Sequence, residues 1–156
     1  MSALSTLLAN PVQAGVFQLT REARDVARAA EEARLACFLV DIGHAHDKGD
    51  FLKKMAQTLR FPDWFGNNWD SLADCLKDLS WLEEDAGAAA NAPRQGYVLV
   101  LEKSKHFGAA HRHEFEEAMD LLGEVADYWR IQKKPFWTLI GGPEGWNSGW
   151  PEMPSA

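Results

Sequence analysis

The stretch LACFLVDIGHAHDKGDFLKKMAQTL, residues 35–59, changes its period halfway along, and that change decides the fold class. Its first eight residues, Leu35 to Ile42, are almost continuously apolar, which predicts a central strand covered on both faces. Gly43 ends the run and a polar turn, His44 to Gly49, follows. Beyond it Phe51, Met55 and Leu59 recur at helical spacing, with Asp50 as the expected cap and Arg60-Phe61-Pro62 as the stop.

The same alternation continues in both directions. Downstream, Tyr97 to Leu101 and Pro135 to Ile140 are further apolar strand runs, separated by a long helical pattern from about His111 to Ile131. Upstream, Ala14 to Leu19 suits an edge strand, and Thr20 offers an N-cap to an Ala-, Arg- and Glu-rich helix ending near Arg34. Strands alternating with helices imply right-handed crossovers and a small parallel sheet, an α/β architecture. Trp81 to Gln95 is expected to be a loop with an Ala-rich insertion. The organisation expected is a flexible N-terminus over residues 1–13, a single domain over 14–141 and a loose tail over 142–156. That division leaves Trp146 and Trp150 without a role.

Composition sets the bounds on function. The 156 residues are 46% hydrophobic, 25% charged and 11% aromatic, which excludes disorder and low-complexity polymers. A domain of this length buries roughly 68–70% of its unfolded surface without a staple. No stretch is apolar enough to span a bilayer, and Leu4 to Ala9 lacks the preceding Lys or Arg of a signal peptide, so a cytoplasmic protein is expected. Cys37 and Cys75 fall in segments expected to be buried, which suits reduced thiols rather than a disulfide. The net charge of −7 argues against nucleic acid or an anionic membrane as the main partner.

That charge is concentrated in one place. Phe61 to Asp85 carries seven acids and a single base, Lys77, whereas the other 131 residues hold 16 acids and 15 bases. Within this segment Asn68 is the expected N-cap of a helix from Trp69 to Leu79. Trp69, Leu72, Leu76 and Leu79 share its packed face with Cys75 beside them, while Asp70, Asp74 and Asp78 recur at i, i+4 and i+8. Like charges at that spacing oppose helix stability by about 0.2–0.5 kcal/mol per pair, and Asp78 also opposes the dipole. A solvated helix face accounts for most acidic runs. Here the one-sided spacing, the concentration of charge and the neighbouring loop Pro62 to Asn68 point instead to a surface for a cationic partner. Consecutive loop aromatics do not both point inward, so Trp64 is expected to be exposed and Phe65 to pack.

The run Phe61-Pro62-Asp63-Trp64-Phe65-Gly66-Asn67-Asn68-Trp69-Asp70-Ser71-Leu72-Ala73-Asp74-Cys75-Leu76 resembles the barstar family of ribonuclease inhibitors. The order of elements from Leu35 to Gly141 also resembles that family's fold. The resemblance implies a small three-stranded parallel sheet packed by helices, with Ala14 to Arg34 as an N-terminal strand-helix addition. It implies an intracellular inhibitor that covers the active site of a barnase-type microbial ribonuclease, with no cofactor, no bound metal and no catalysis. Carried over by position, Asp74 matches the central inhibitory carboxylate, Asp70 the acid one turn earlier and Trp64 the loop aromatic, usually tyrosine. Asn68 matches the loop asparagine, read as a cap rather than a contact, and Glu124 falls near a contact glutamate. Two positions depart from the pattern. Ala73 stands where an exposed tryptophan precedes the key aspartate, and Trp81 is displaced by about two residues from its aromatic counterpart.

Those departures keep open a second binding module on the same fold, an antitoxin for a different basic protein. An enzyme would need a phosphate-cradling Gly loop, a nucleophile elbow or a Cys-His spacing that the chain lacks. His44-Ala45-His46 and His111-Arg112-His113 offer two metal ligands each, a pattern more common on solvated surface. RNA binding requires a basic groove with stacking aromatics, and here the aromatic loop lies in the acidic segment.

Overall fold

The computed structural model describes residues 2–85 and 94–156, the side chains of 83–85 excepted. Apolar runs become strands and periodic runs become helices, in the order α1 (Ala3–Leu8), β1 (Val16–Gln18), α2 (Ala23–Glu32), β2 (Ala36–Asp41), α3 (Lys48–Leu59), α4 (Trp69–Leu76), α5 (Ser80–Asp85), β3 (Tyr97–Glu102), α6 (Lys105–Ala110), α7 (Arg112–Ile131) and β4 (Phe136–Ile140). The strands form one parallel sheet ordered β1-β4-β3-β2. It has four strands rather than three, because the N-terminal strand pairs along β4, Val16 opposite Thr138 and Gln18 opposite Ile140.

Alternation along the strands divides the core between two faces. Leu99, Leu101, Phe136 and Ile140 pack with Phe51, Leu72, Phe107, Phe115 and Leu122 from α3, α4, α6 and α7. Val98, Val100, Trp137 and Leu139 pack with Leu4, Leu8, Val26 and Ala30 from α1 and α2. β3 and β4 are therefore the strands covered on both faces. β2 was the expected central strand and is instead an edge strand, with Leu39 44% exposed. Val40, on the face toward α3, is buried, while Leu39 on the opposite face is exposed although α2 packs against the strand, and an apolar run alone does not distinguish the two situations.

Both ends of the chain are anchored, against expectation. Residues 3–8 form α1, capped where the Ser2 hydroxyl accepts from Ser5 N (3.1 Å), and Trp137 Nε1 donates to the carbonyl of Leu8 at 2.8 Å. Arg130 clasps the link to β1 through the carbonyls of Pro11 and Ala14. At the other end Gln18 N donates to Pro151 O (2.7 Å) and Met153 N to Gln18 O (3.0 Å), so the tail bridges the outer edge of β1. Trp150 lies edge-on to Phe115 (5.4 Å) beneath the Arg112 guanidinium (5.0 Å), and Arg112 also donates to Ser148 O. The two tryptophans of the tail are thus its anchors, with Trp146 packed on the same core.

Local starts and stops differ in three places. Asp47 rather than Asp50 caps α3, accepting from Asp50 N at 2.8 Å, while the Asp50 carboxylate takes His46 N. Glu22 rather than Thr20 precedes α2, without a side-chain cap. The expected insertion from Glu83 to Gln95 lies largely outside the described residues, although its approach is helical as α5.

Candidate functional site

The loop between α3 and α4 is built almost entirely from local hydrogen bonds. α3 ends as Arg60 turns left-handed (φ 54°) and Phe61 folds back under the loop, its ring 4.9 Å from Phe65 and 5.9 Å from Trp81. Phe65 N donates to Pro62 O at 3.0 Å, closing a turn with Asp63 and Trp64 at its tip. Trp64 is 55% exposed and Phe65 is half-buried, the division expected of adjacent loop aromatics.

Asn68 then joins loop to helix. Its Oδ1 accepts from Ser71 N (2.8 Å) as the N-cap of α4, and its Nδ2 donates to Gly66 O (3.2 Å). Ser71 returns the contact, its Oγ accepting from Gly66 N at 2.7 Å. Asn67 holds the intervening left-handed position (φ 54°), which asparagine tolerates. Sequence reasoning missed Ser71, which stands where a capping box carries Glu or Gln and whose hydroxyl bonds Gly66 N rather than the amide of the cap itself.

On α4 the apolar face goes in and the acids go out. Leu72, Cys75 and Leu76 are buried, and Trp69 sits 6.1 Å from Phe51 with Lys48 Nζ over its ring at 4.9 Å. Asp70 and Asp74 are exposed one turn apart, and neither has an ion pair among the described residues. The helix is shorter than expected, because Lys77 caps it and Leu79 turns left-handed (φ 58°). Asp78 therefore lies past the helix end and accepts from Ser80 N (3.2 Å), which makes the stripe two helical acids and one turn acid.

The other expected site residues lie on α4, α5 and α7. Ala73, beside Asp74, is half-buried and adds no ring. Glu124 is exposed on α7, the helix that packs along α4 and whose Trp129 Nε1 donates to Leu76 O at 2.8 Å. Trp81 is half-buried with its indole N–H given to Leu59 O (3.0 Å), so it braces the loop from behind. One aromatic went unforeseen: Tyr128, one turn beyond Glu124, is 36% exposed and has Lys77 Nζ 5.9 Å from its ring.

Beneath the acids, burial, with the Asp74 and Asp78 carboxylates adding to it, pushes the Cys75 thiol up to about 11. Burial, and then Glu102, does the same for half-buried Cys37. Both cysteines are free thiols. Among the described residues no group of three or more His, Cys, Asp or Glu could hold a metal ion, and no helix is long and apolar enough to cross a membrane. His113, one of the candidate metal ligands, stands 3.2 Å from Glu117.

A family model described as Barstar (barnase inhibitor) matches residues 35–141, from the start of β2 to the end of β4. No curated protein matches the chain.

Proposed function

The chain belongs to the barstar family, and from that premise we propose that it inhibits a basic, barnase-type microbial ribonuclease inside the producing cell by covering its active site. What carries the proposal is the exposed Asp70–Asp74 face of α4, without an ion pair among the described residues, beside exposed Trp64. A site that holds RNA phosphate is lined by Arg, Lys or His, and a carboxylate on a rigid helix is a charge-assisted acceptor for such groups. Asp74, mid-helix, would take the place of substrate phosphate, with Asp70 assisting from the first turn. Trp64 would pack at the rim, and Glu124 would extend the acidic surface from α7.

The mechanism is occlusion, with no bond made or broken by the inhibitor. The local excess of acid over base from Phe61 to Asp85 would steer a basic enzyme toward this face at low salt. Asn68 serves the site indirectly, since both ends of its amide are engaged within the loop.

A second proposal, the same face turned on a different basic protein, is favoured by the changed aromatic frame: Ala73 offers no ring and the Trp81 indole is engaged with Leu59. Titrating a barnase-type ribonuclease with the purified chain on an RNA substrate separates the two. A linear loss of activity to an equimolar endpoint supports the ribonuclease, and full activity at micromolar chain would transfer the proposal to another basic partner.

A further inference from the structure

A cavity of about 910 Å³ opens where the parallel strands end, and none of the α4 or loop residues above lines it. Its position follows from the topology. The chain leaving β1 passes to the face where α2 sets Val26, Ala29 and Ala30 against Val98 and Trp137. The chain leaving β3 passes to the other face, where α6 sets Phe107 against Leu99 and Ile140. β4 stands between those two strands, so the backbone parts to both sides over its carboxyl end. Open α/β sheets bind ligands in such a crevice.

The lining is suited to an apolar body. Leu19 and Ala23 form one wall and Ala109 and Ala110 the other, and the volume lies in the range of small-molecule sites. The floor is bare main chain at Gly43, Gly141 and Gly142. A Cβ on Gly142 would overlap the Trp146 ring, and one on Gly43 would lie 3.0 Å from Lys103 Cδ, close enough that the lysine chain would have to shift by a few tenths of an ångström.

The rim supplies donors. Lys103 is held by Asp41 at 3.2 Å, but Lys105 has no ion pair among the described residues, and His44 and His106 line the same mouth. Against these three stands one lining carboxylate, Glu102. We propose that this crevice binds a small amphiphilic carboxylate, its apolar body between α2 and α6 and its anionic group at Lys105, His44 and His106. The site is separate from the inhibitory face and stands or falls independently of it.

The test uses the full chain, with octanoate as ligand, 1-octanol as its uncharged counterpart and amide chemical-shift mapping as readout. Octanoate is expected to saturate one site and to move residues 19–23, 43–44, 102–110 and 141–142. Octanol is expected to bind about tenfold more weakly, a difference of roughly 1.4 kcal/mol. Ala109→Trp, on an exposed helical position, fills the cavity and abolishes the shifts, and Lys105→Glu weakens octanoate by about tenfold or more. Equal binding of octanol, or no effect of Lys105→Glu, overturns the carboxylate assignment. Absence of saturable binding, or binding unchanged in Ala109→Trp, overturns the site.

Discussion

Replacing Asn68 by alanine separates a cap from a contact. The substitution removes two hydrogen bonds, from Ser71 N at 2.8 Å and to Gly66 O at 3.2 Å, and leaves the bond from Gly66 N to Ser71 Oγ in place. Loss of an N-cap costs about 1 kcal/mol, and the longer, exposed bond adds roughly 0.5. A total near 1.5 kcal/mol lowers the melting temperature by about 3–6 °C in a domain of this size. Asn68→Ser keeps an oxygen at the cap but cannot span to Gly66, so it should recover about 1 kcal/mol of the loss. Denaturant melts of the three proteins give the stability ladder, and inhibition constants of the same samples give the functional effect, expected at about three- to tenfold for the alanine variant because Ser71 still holds the loop. An alanine variant as stable as wild type would refute the capping role. One that loses as much affinity as Asp74→Ala would show that Asn68 touches the partner.

Three further outcomes follow from the same geometry. Raising ionic strength from about 0.05 to 0.5 M should slow association with the basic partner by tenfold or more while changing dissociation little, in stopped-flow mixing; a flat association rate would remove electrostatic steering from the mechanism. Trp150→Ala leaves Phe115 uncovered and takes from Arg112 the nearer of its two rings, so it should cost about 2 kcal/mol and lower the melting temperature by roughly 4–8 °C, with inhibition unchanged; an unaltered melt would mean that the tail is not an anchor. The Cys75 thiol holds its proton to about 11 when folded and to about 9.0 when unfolded, so stability is full below pH 9 and declines as pH rises toward 11. Cys75→Ala should make that decline shallower in denaturant midpoints taken across the window, with Cys37 carrying part of what remains, and an identical slope in the variant would contradict it.

What could be read from the sequence divides along the range of the interactions involved. β3 and β4 were legible because apolar runs, unbroken from Tyr97 to Leu101 and broken only by Thr138 in Phe136–Ile140, need cover on both sides, and the Asn68 cap was legible because cap and capped amide lie three residues apart. The exposure of Trp64 followed from the geometry of adjacent loop residues. Longer-range features were not legible. β2 is as apolar as a central strand, yet its place at the edge is set by the order in which β3 and β4 stack beside it. Trp81 is turned away from the surface by a carbonyl 22 residues earlier, at Leu59. α1 and α6 span only six residues each, too few for periodicity to stand out, and both are held by tertiary contacts from Trp137 and the core around Phe107. The Gly- and Pro-rich tail read as loose although Trp150 packs on Phe115 of α7, Trp146 lies against Gly108 of α6 and Met153 bonds to β1.

The central claim is that the α4 carboxylates, and Asp74 above all, occupy the partner's phosphate site. Equilibrium affinities of wild type, Asp74→Ala and Asp78→Ala for one barnase-type ribonuclease test it most directly. Asp74→Ala should lose about 2–5 kcal/mol, the general cost of leaving one member of a buried charge pair alone, a range to which inhibitors of this family themselves contribute. Asp78, past the end of α4 and accepting from Ser80 N, should cost well under 1 kcal/mol as an exposed charge. Equal, mild losses at both positions would contradict the assignment of the site even with inhibition intact.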